Sequence, residues 1–134
     1  MRVQATPRSR YLEIVAITEV VTAPKLIHLV DILANELERD SSRNVLVDVR
    51  ARSRDIPLFE TFSIFAHMMR RRVTRTKIAY VVTGRARPSI TRIYEDISAR
   101  CGVKIKFFAA RKEALDWLDV AEESIGAESS EATL

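Results

Sequence analysis

Apolar and polar positions along the chain follow two rhythms in turn, one with the period of a strand and one with the period of a helix. Tyr11 to Thr18 (YLEIVAIT) is dense in aromatic and β-branched residues and predicts a strand. Next, Leu26, Leu29, Val30, Leu33 and Leu37 recur at three- and four-residue spacing, with Asp31, Asn35, Glu38 and Arg39 off the stripe, which predicts an amphipathic helix. Thr22 can cap that helix, Pro24 suits its first turn, and the polar cluster Asp40 to Asn44 ends it. Val45 to Val49 (VLVDV) is a nearly continuous apolar run, as a buried parallel strand requires.

The polar stretch RARSRD reads as a loop leading through Pro57 into a helix, LFETFSIFAHMM, which Arg70 to Arg75 closes. Thr76 to Val82 predicts a third strand, and Thr83 to Arg87 a loop. Pro88 and Ser89 open a helix with Ile90, Ile93 and Ile97 on one face, and Gly102 is placed to terminate it. In Val103 to Phe108, Val103, Ile105 and Phe107 alternate with Lys104 and Lys106, the pattern of an edge strand guarded by lysines. A last helix from about Arg111 presents Ala114, Leu115, Trp117, Leu118 and Ala121.

Strands alternating with helices predict an α/β fold with a mostly parallel sheet of four or five strands and right-handed crossovers. The N-terminal VQAT, followed by the turn-like PRSR, can supply the fifth strand, antiparallel at the edge. The expected organisation is an N-terminal arm or edge strand at 1–10, one α/β domain at 11–123, and a loose acidic tail at 124–134. The chain has 134 residues and one cysteine, so an internal disulfide is excluded, as is a multi-cysteine metal site. No apolar run reaches the ~18–20 residues of a membrane span, and no apolar stretch follows the charged N-terminus as in a secretory signal. A soluble, cytoplasmic protein is expected.

Charge adds an asymmetry. Residues 43–112 hold seventeen basic and five acidic side chains, whereas 113–134 hold seven acidic and no Lys or Arg. The arginines are scattered over several elements, so weak, nonspecific anion binding is expected rather than specific nucleic-acid recognition. Arg85, Arg87 and Ser89 are the candidate anion site. They follow a strand and lead into a helix N-terminus, where free N–H groups favour negative charge.

Catalytic chemistry has little to work with. His28 and Asp31 are three residues apart on one helix, and His67 shares a helical side with Glu60, but no nucleophile is placed to use either pair. Cys101 sits at the carbonyl end of a helix, the opposite of what a reactive thiolate prefers. Three glycines do not make a dinucleotide fingerprint or a P-loop. The expectation is a chain that is not an enzyme, with no catalytic residues, no metal and no cofactor.

The helix around Leu58 to Met69 carries more information. At 100° per residue its apolar positions, Phe59, Phe62, Ile64, Phe65, Met68 and Met69 among them, span about 220°, twice what packing on one sheet needs. These residues are the candidates for a partner interface or an apolar-ligand wall. On this reading Ile64 and Met68 belong to the second face, and changing either to Glu should cost the fold little.

Three segments together resemble the SpoIIAA-like domains of the STAS family: VLVDVR after a first helix, Lys77-Ile78-Ala79-Tyr80-Val81 in a later strand, and EALDWL in the final helix. The resemblance covers residues 11–118 and implies a sheet with helices mainly on one face. Relatives with this fold act as anti-anti-sigma regulators or, in Sec14-like proteins, bind lipids. Regulatory members carry a phosphorylatable serine in a D-S-x-G turn. Here Ser53 stands in Arg50 to Pro57 without that pattern, so the phosphoserine switch is not expected. The functional expectation is a non-catalytic protein-interaction or regulatory module that pairs with a second copy or a protein partner through its wide apolar helix. The alternative is a binder of a small apolar or lipid-like ligand.

Overall fold

The computed structural model describes residues 1–40, 44–82 and 88–118. Along them run β1 (Arg2–Pro7), β2 (Tyr11–Thr22), α1 (Ala23–Arg39), β3 (Asn44–Asp55), α2 (Leu58–Arg70), β4 (Lys77–Val82), α3 (Pro88–Arg100), β5 (Lys104–Phe108) and α4 (Arg111–Leu118). The strands lie in the order β1-β2-β3-β4-β5. The three pairings from β2 to β5 are parallel, and β1 pairs antiparallel with β2. The sheet is therefore mixed, which corrects the expectation of a mostly parallel one. The reason is the length of the first connection. Three residues can join only antiparallel neighbours, because a parallel pair needs a long crossover. The Arg8 N–H donates to the Tyr11 carbonyl at 2.8 Å and closes this turn.

Two strands outrun their apolar cores. The β2–β3 ladder runs from Tyr11 opposite Asn44 to Thr22 opposite Asp55, so RARSRD is strand and not loop. Backbone groups make a ladder whatever the side chains are. Arg52, Ser53 and Arg54 are exposed, and their polarity reflects solvent rather than irregular backbone.

Alternate residues of the central strands serve two layers. Leu12, Ile14, Val47, Val49 and Ile78 face the layer made by α1, α2 and α3. Tyr11, Leu46, Ala79 and Val81 face α4, which covers them with Ala114, Leu115 and Leu118. Fully burying side chains of this kind is worth about 1.5–3 kcal/mol each.

The helix ends are defined locally. In α3 the Val103 N–H reaches the Ser98 carbonyl at 2.8 Å and Gly102 takes φ 74°, the left-handed residue of a Schellman stop. The same motif closes α2, where the Val73 N–H donates to the Met68 carbonyl, but there a non-glycine, Arg72, holds φ 61°. The inward stripe of α3 also differs from expectation. Ile90 and Ile93 are exposed, and Tyr94, Ile97, Ser98 and Cys101 turn inward instead. Cys101 is half-buried against the core.

Candidate ligand cavity

The wide apolar arc of α2 divides between two environments. Ile64 and Met68 are 7% and 3% exposed and pack with Phe65 in the core, whereas Phe59 and Phe62 are 72% and 56% exposed, with Leu58 and Met69 beside them. The sequence expectation placed Ile64 and Met68 on the free side. The structure buries both, so a glutamate at either position would be forced into the core. The side of α2 turned to the core is Ile64–Phe65–Met68.

The packing beneath α2 is incomplete. A cavity of about 80 Å³ lies between α2, α1, α3 and the sheet. Its wall includes Leu29, Leu33, Ile64, Phe65, Met68 and Ile105, and its polar contributors are Arg54, Thr61, Tyr80 and Tyr94. Three of the predicted candidates, Ile64, Phe65 and Met68, thus line a cavity, while Phe59, Phe62 and Met69 do not.

Arg54 reaches the cavity through a change of strand phase. The inward positions of β2 run Leu12, Ile14, Ala16 and then Val21, and those of β3 run Val45, Val47, Val49 and then Arg54. The ladder passes from Thr18–Ala51 to Val20–Ser53 without a Glu19–Arg52 pair at the crossing. β1 covers β2 only as far as Ile17. Beyond it the Lys25 ammonium bonds the Val20 carbonyl at 2.8 Å and the Thr18 hydroxyl at 2.7 Å, in place of a strand.

Within the cavity Arg54 Nη1 donates to the Tyr80 hydroxyl at 3.3 Å, and its guanidinium carbon stands 5.7 Å from the centre of the Tyr80 ring. Burial pushes the Tyr80 hydroxyl above its ordinary pKa, with Arg54 opposing the shift, so it remains a neutral O–H. Tyr80 and Tyr94 both pack on Phe107, with ring centroids 5.0 and 5.8 Å apart. Thr61 is 4% exposed, and among the described residues its Oγ1 has no hydrogen-bond partner.

A polar clasp holds α2 to α1. His67 Nε2 lies 2.7 Å from Asp31 Oδ1, Arg71 also donates to Asp31, and Arg71 Nη2 donates to Asn35 Oδ1 at 2.8 Å. The hydrogen bond from His67 and then that from Arg71, against some burial, hold the Asp31 carboxyl below its ordinary range. Asp31 therefore serves His67 and not His28, which is exposed. The pairing joins residues on two helices, which helical spacing within one element does not reveal. On the opposite sheet face, burial alone would raise the Glu13 carboxyl. Hydrogen bonds from Arg8 and Arg111 outweigh it and keep the group ionised and low.

Arg85 and Arg87 lie outside the described residues, as does the side chain of Ser89. Among the described residues no three metal-ligating side chains cluster, and no helix is long and apolar enough to cross a membrane. Arg54, Thr61, Tyr80 and Tyr94 went unnoticed as site residues in the sequence. The one usable signal was Tyr80, a large polar-tipped residue in an otherwise aliphatic buried strand.

Among solved structures, the chain is similar to an uncharacterised protein of the DUF3478 family, with a SpoIIAA-like fold, from Shewanella loihica PV-4. The two share 18% identity, the match covers 87% of this chain and 92% of that one, and the TM-score is 0.55. The fold is SpoIIAA-like. No protein-family model and no curated protein matches the chain. The SpoIIAA-like scaffold accounts for the five-stranded sheet and the four helices.

Proposed function

We propose that the chain is a non-catalytic binding domain that houses a small apolar molecule between the sheet and α2. The observation that carries this reading is the unfilled, mostly apolar cavity beside the larger apolar core. Protein interiors leave few voids larger than a water, since each unfilled volume forfeits dispersion contacts. A pocket lined mainly by hydrophobic and aromatic side chains, with a few polar groups among them, suits a small apolar guest. No residue in the cavity wall is arranged as a nucleophile with a base, so the site binds and orients rather than transforms. NMR titration of ¹⁵N-labelled protein with hexan-1-ol should shift the amides of Ile64, Tyr80 and Ile105. An Ile64→Phe variant, which fills the space, should abolish those shifts. Shifts confined to the outer surface, or unchanged in the filled variant, would remove the cavity from consideration.

The outer face of α2 supports a second reading, contact with a protein or with a second copy of the chain. Leu58, Phe59, Phe62 and Met69 form an exposed apolar cluster on one helix, and such clusters mark interaction sites. Native mass spectrometry distinguishes the cases. A dimer that Phe62→Glu converts to monomer supports self-association, and a monomer at all concentrations excludes it.

A further inference from the structure

The cavity has a polar end, and that end carries an unmatched charge. β3 presents three arginines, and two of them meet carboxylates: Arg50 bonds Asp48 at 3.0 Å and Arg52 faces Glu19 at 3.5 Å. Arg54 lines the cavity, and among the described residues it meets no carboxylate; its polar partner is the Tyr80 hydroxyl. A guanidinium presents a rigid fork of donors that fits a carboxylate with two parallel hydrogen bonds. One direction of its fork is taken by Tyr80, which accepts that bond and keeps its own proton to donate. Thr61 adds a second independent sign that something polar is missing. Its hydroxyl is buried in the same cavity wall and meets no hydrogen-bond partner among the described residues, a condition that native proteins rarely leave uncompensated.

We propose that the cavity takes small apolar monocarboxylates, with the hydrocarbon tail among the α1, α2 and sheet side chains and the carboxylate held by Arg54 and the Tyr80 hydroxyl. The proposal rests on the cavity reading above and adds the head group to it. Size limits the class. A cavity of about 150 Å³ accommodates benzene, and this one measures about 80 Å³. It accepts a tail of about three to five carbons, with the head outside the apolar wall. An amine of the same length would set a second cation beside Arg54, and an alcohol would leave the guanidinium fork unfilled.

The test compares hexanoate, hexan-1-ol and hexylamine by NMR titration against the parent protein, Arg54→Gln and Arg54→Lys. Arg54 is exposed, but it donates to the buried Tyr80 hydroxyl, so the melt of each variant is recorded beside the titration and the comparison is made at a temperature where both are folded. Hexanoate is expected to bind at least tenfold more tightly than the alcohol and to shift the Arg54, Thr61 and Tyr80 signals. It should lose that advantage in Arg54→Gln and recover part of it in Arg54→Lys, while the alcohol is indifferent to both changes. If alcohol and acid bind equally, or the acid is unaffected by Arg54→Gln, the head-group proposal fails and the cavity reading stands. If none of the three probes reaches the cavity signals, the cavity reading itself fails. Tighter binding of the amine would also overturn the proposal.

Discussion

Replacing Thr61 with valine should stabilise the protein, although it removes a polar group. Thr61 is buried on the inner side of α2, and its Oγ1 has no partner among the described residues. A buried hydroxyl without a hydrogen bond carries a desolvation cost of about 1–3 kcal/mol. Valine has the same branched shape, so no large cavity opens, and its helix propensity is close to that of threonine. The methyl that replaces the hydroxyl also faces an apolar wall, where it is favoured by up to about 0.8 kcal/mol. Discounting for partial relaxation of the site, a gain of about 1–2 kcal/mol is expected. The assay is urea unfolding of protein refolded from guanidinium, so that no small molecule remains bound. With a slope of about 1–3 kcal/mol per molar urea, the midpoint should rise by about 0.5–1 M with the slope unchanged. A thermal melt should move up by about 3–6 °C. A midpoint that is unchanged or lower would refute the reasoning, because it would mean that the Thr61 hydroxyl finds a partner in solution.

The other predictions concern α2 and its attachments. Phe65→Ala should cost about 3–5 kcal/mol, as a buried aromatic truncation does, whereas Phe59→Ala on the exposed side should stay within about 0.5 kcal/mol, both by urea unfolding. Arg72→Gly should add about 1 kcal/mol, because Arg72 holds the left-handed position that glycine occupies without strain, and an unchanged urea midpoint would argue against strain there. The Asp31 carboxyl is held below its unfolded value of about 3.9, so the clasp contributes stability above that pH and loses it as pH falls through the lower folded value. Urea midpoints in acid should therefore fall less steeply for Asp31→Asn than for the parent, the slope that remains including Glu13, and equal slopes would remove the clasp as the cause.

Elements that bury a regular stripe were legible from the sequence. The leucines of α1 announce themselves by helical spacing, and the VLVDV core of β3 by a continuous apolar run that ends where the burial ends. What was not legible had its energy elsewhere. The outer half of β3 is held by a backbone ladder to β2, and its side chains face water, so arginines and a serine read as loop. In α3 the isoleucines suggested the inward face, yet the half-buried aromatic Tyr94 takes it, because Phe107 on β5 offers a ring to pack against.

The candidate site was half legible for the same physical reason. An apolar arc of about 220° on α2 says that two faces need partners, and the structure provides one of them, the sheet, and leaves the other exposed. The sequence could not say which residues take which side. That depends on the rotation of α2, and the rotation is set by the clasp from Asp31 to His67 and Arg71, a contact between residues 36 and 40 apart. Nor could it reveal a void, since a cavity is a property of how side chains from six elements fail to meet. Arg54 shows the limit most clearly. In the sequence it is one of three alternating arginines in a polar run. Only the change of strand phase between Ala51 and Arg54 separates it from Arg50 and Arg52 and turns it toward Tyr80. A local backbone irregularity, invisible to periodicity, thus delivers the one polar side chain on β3 that can give an otherwise apolar cavity a preference for charge.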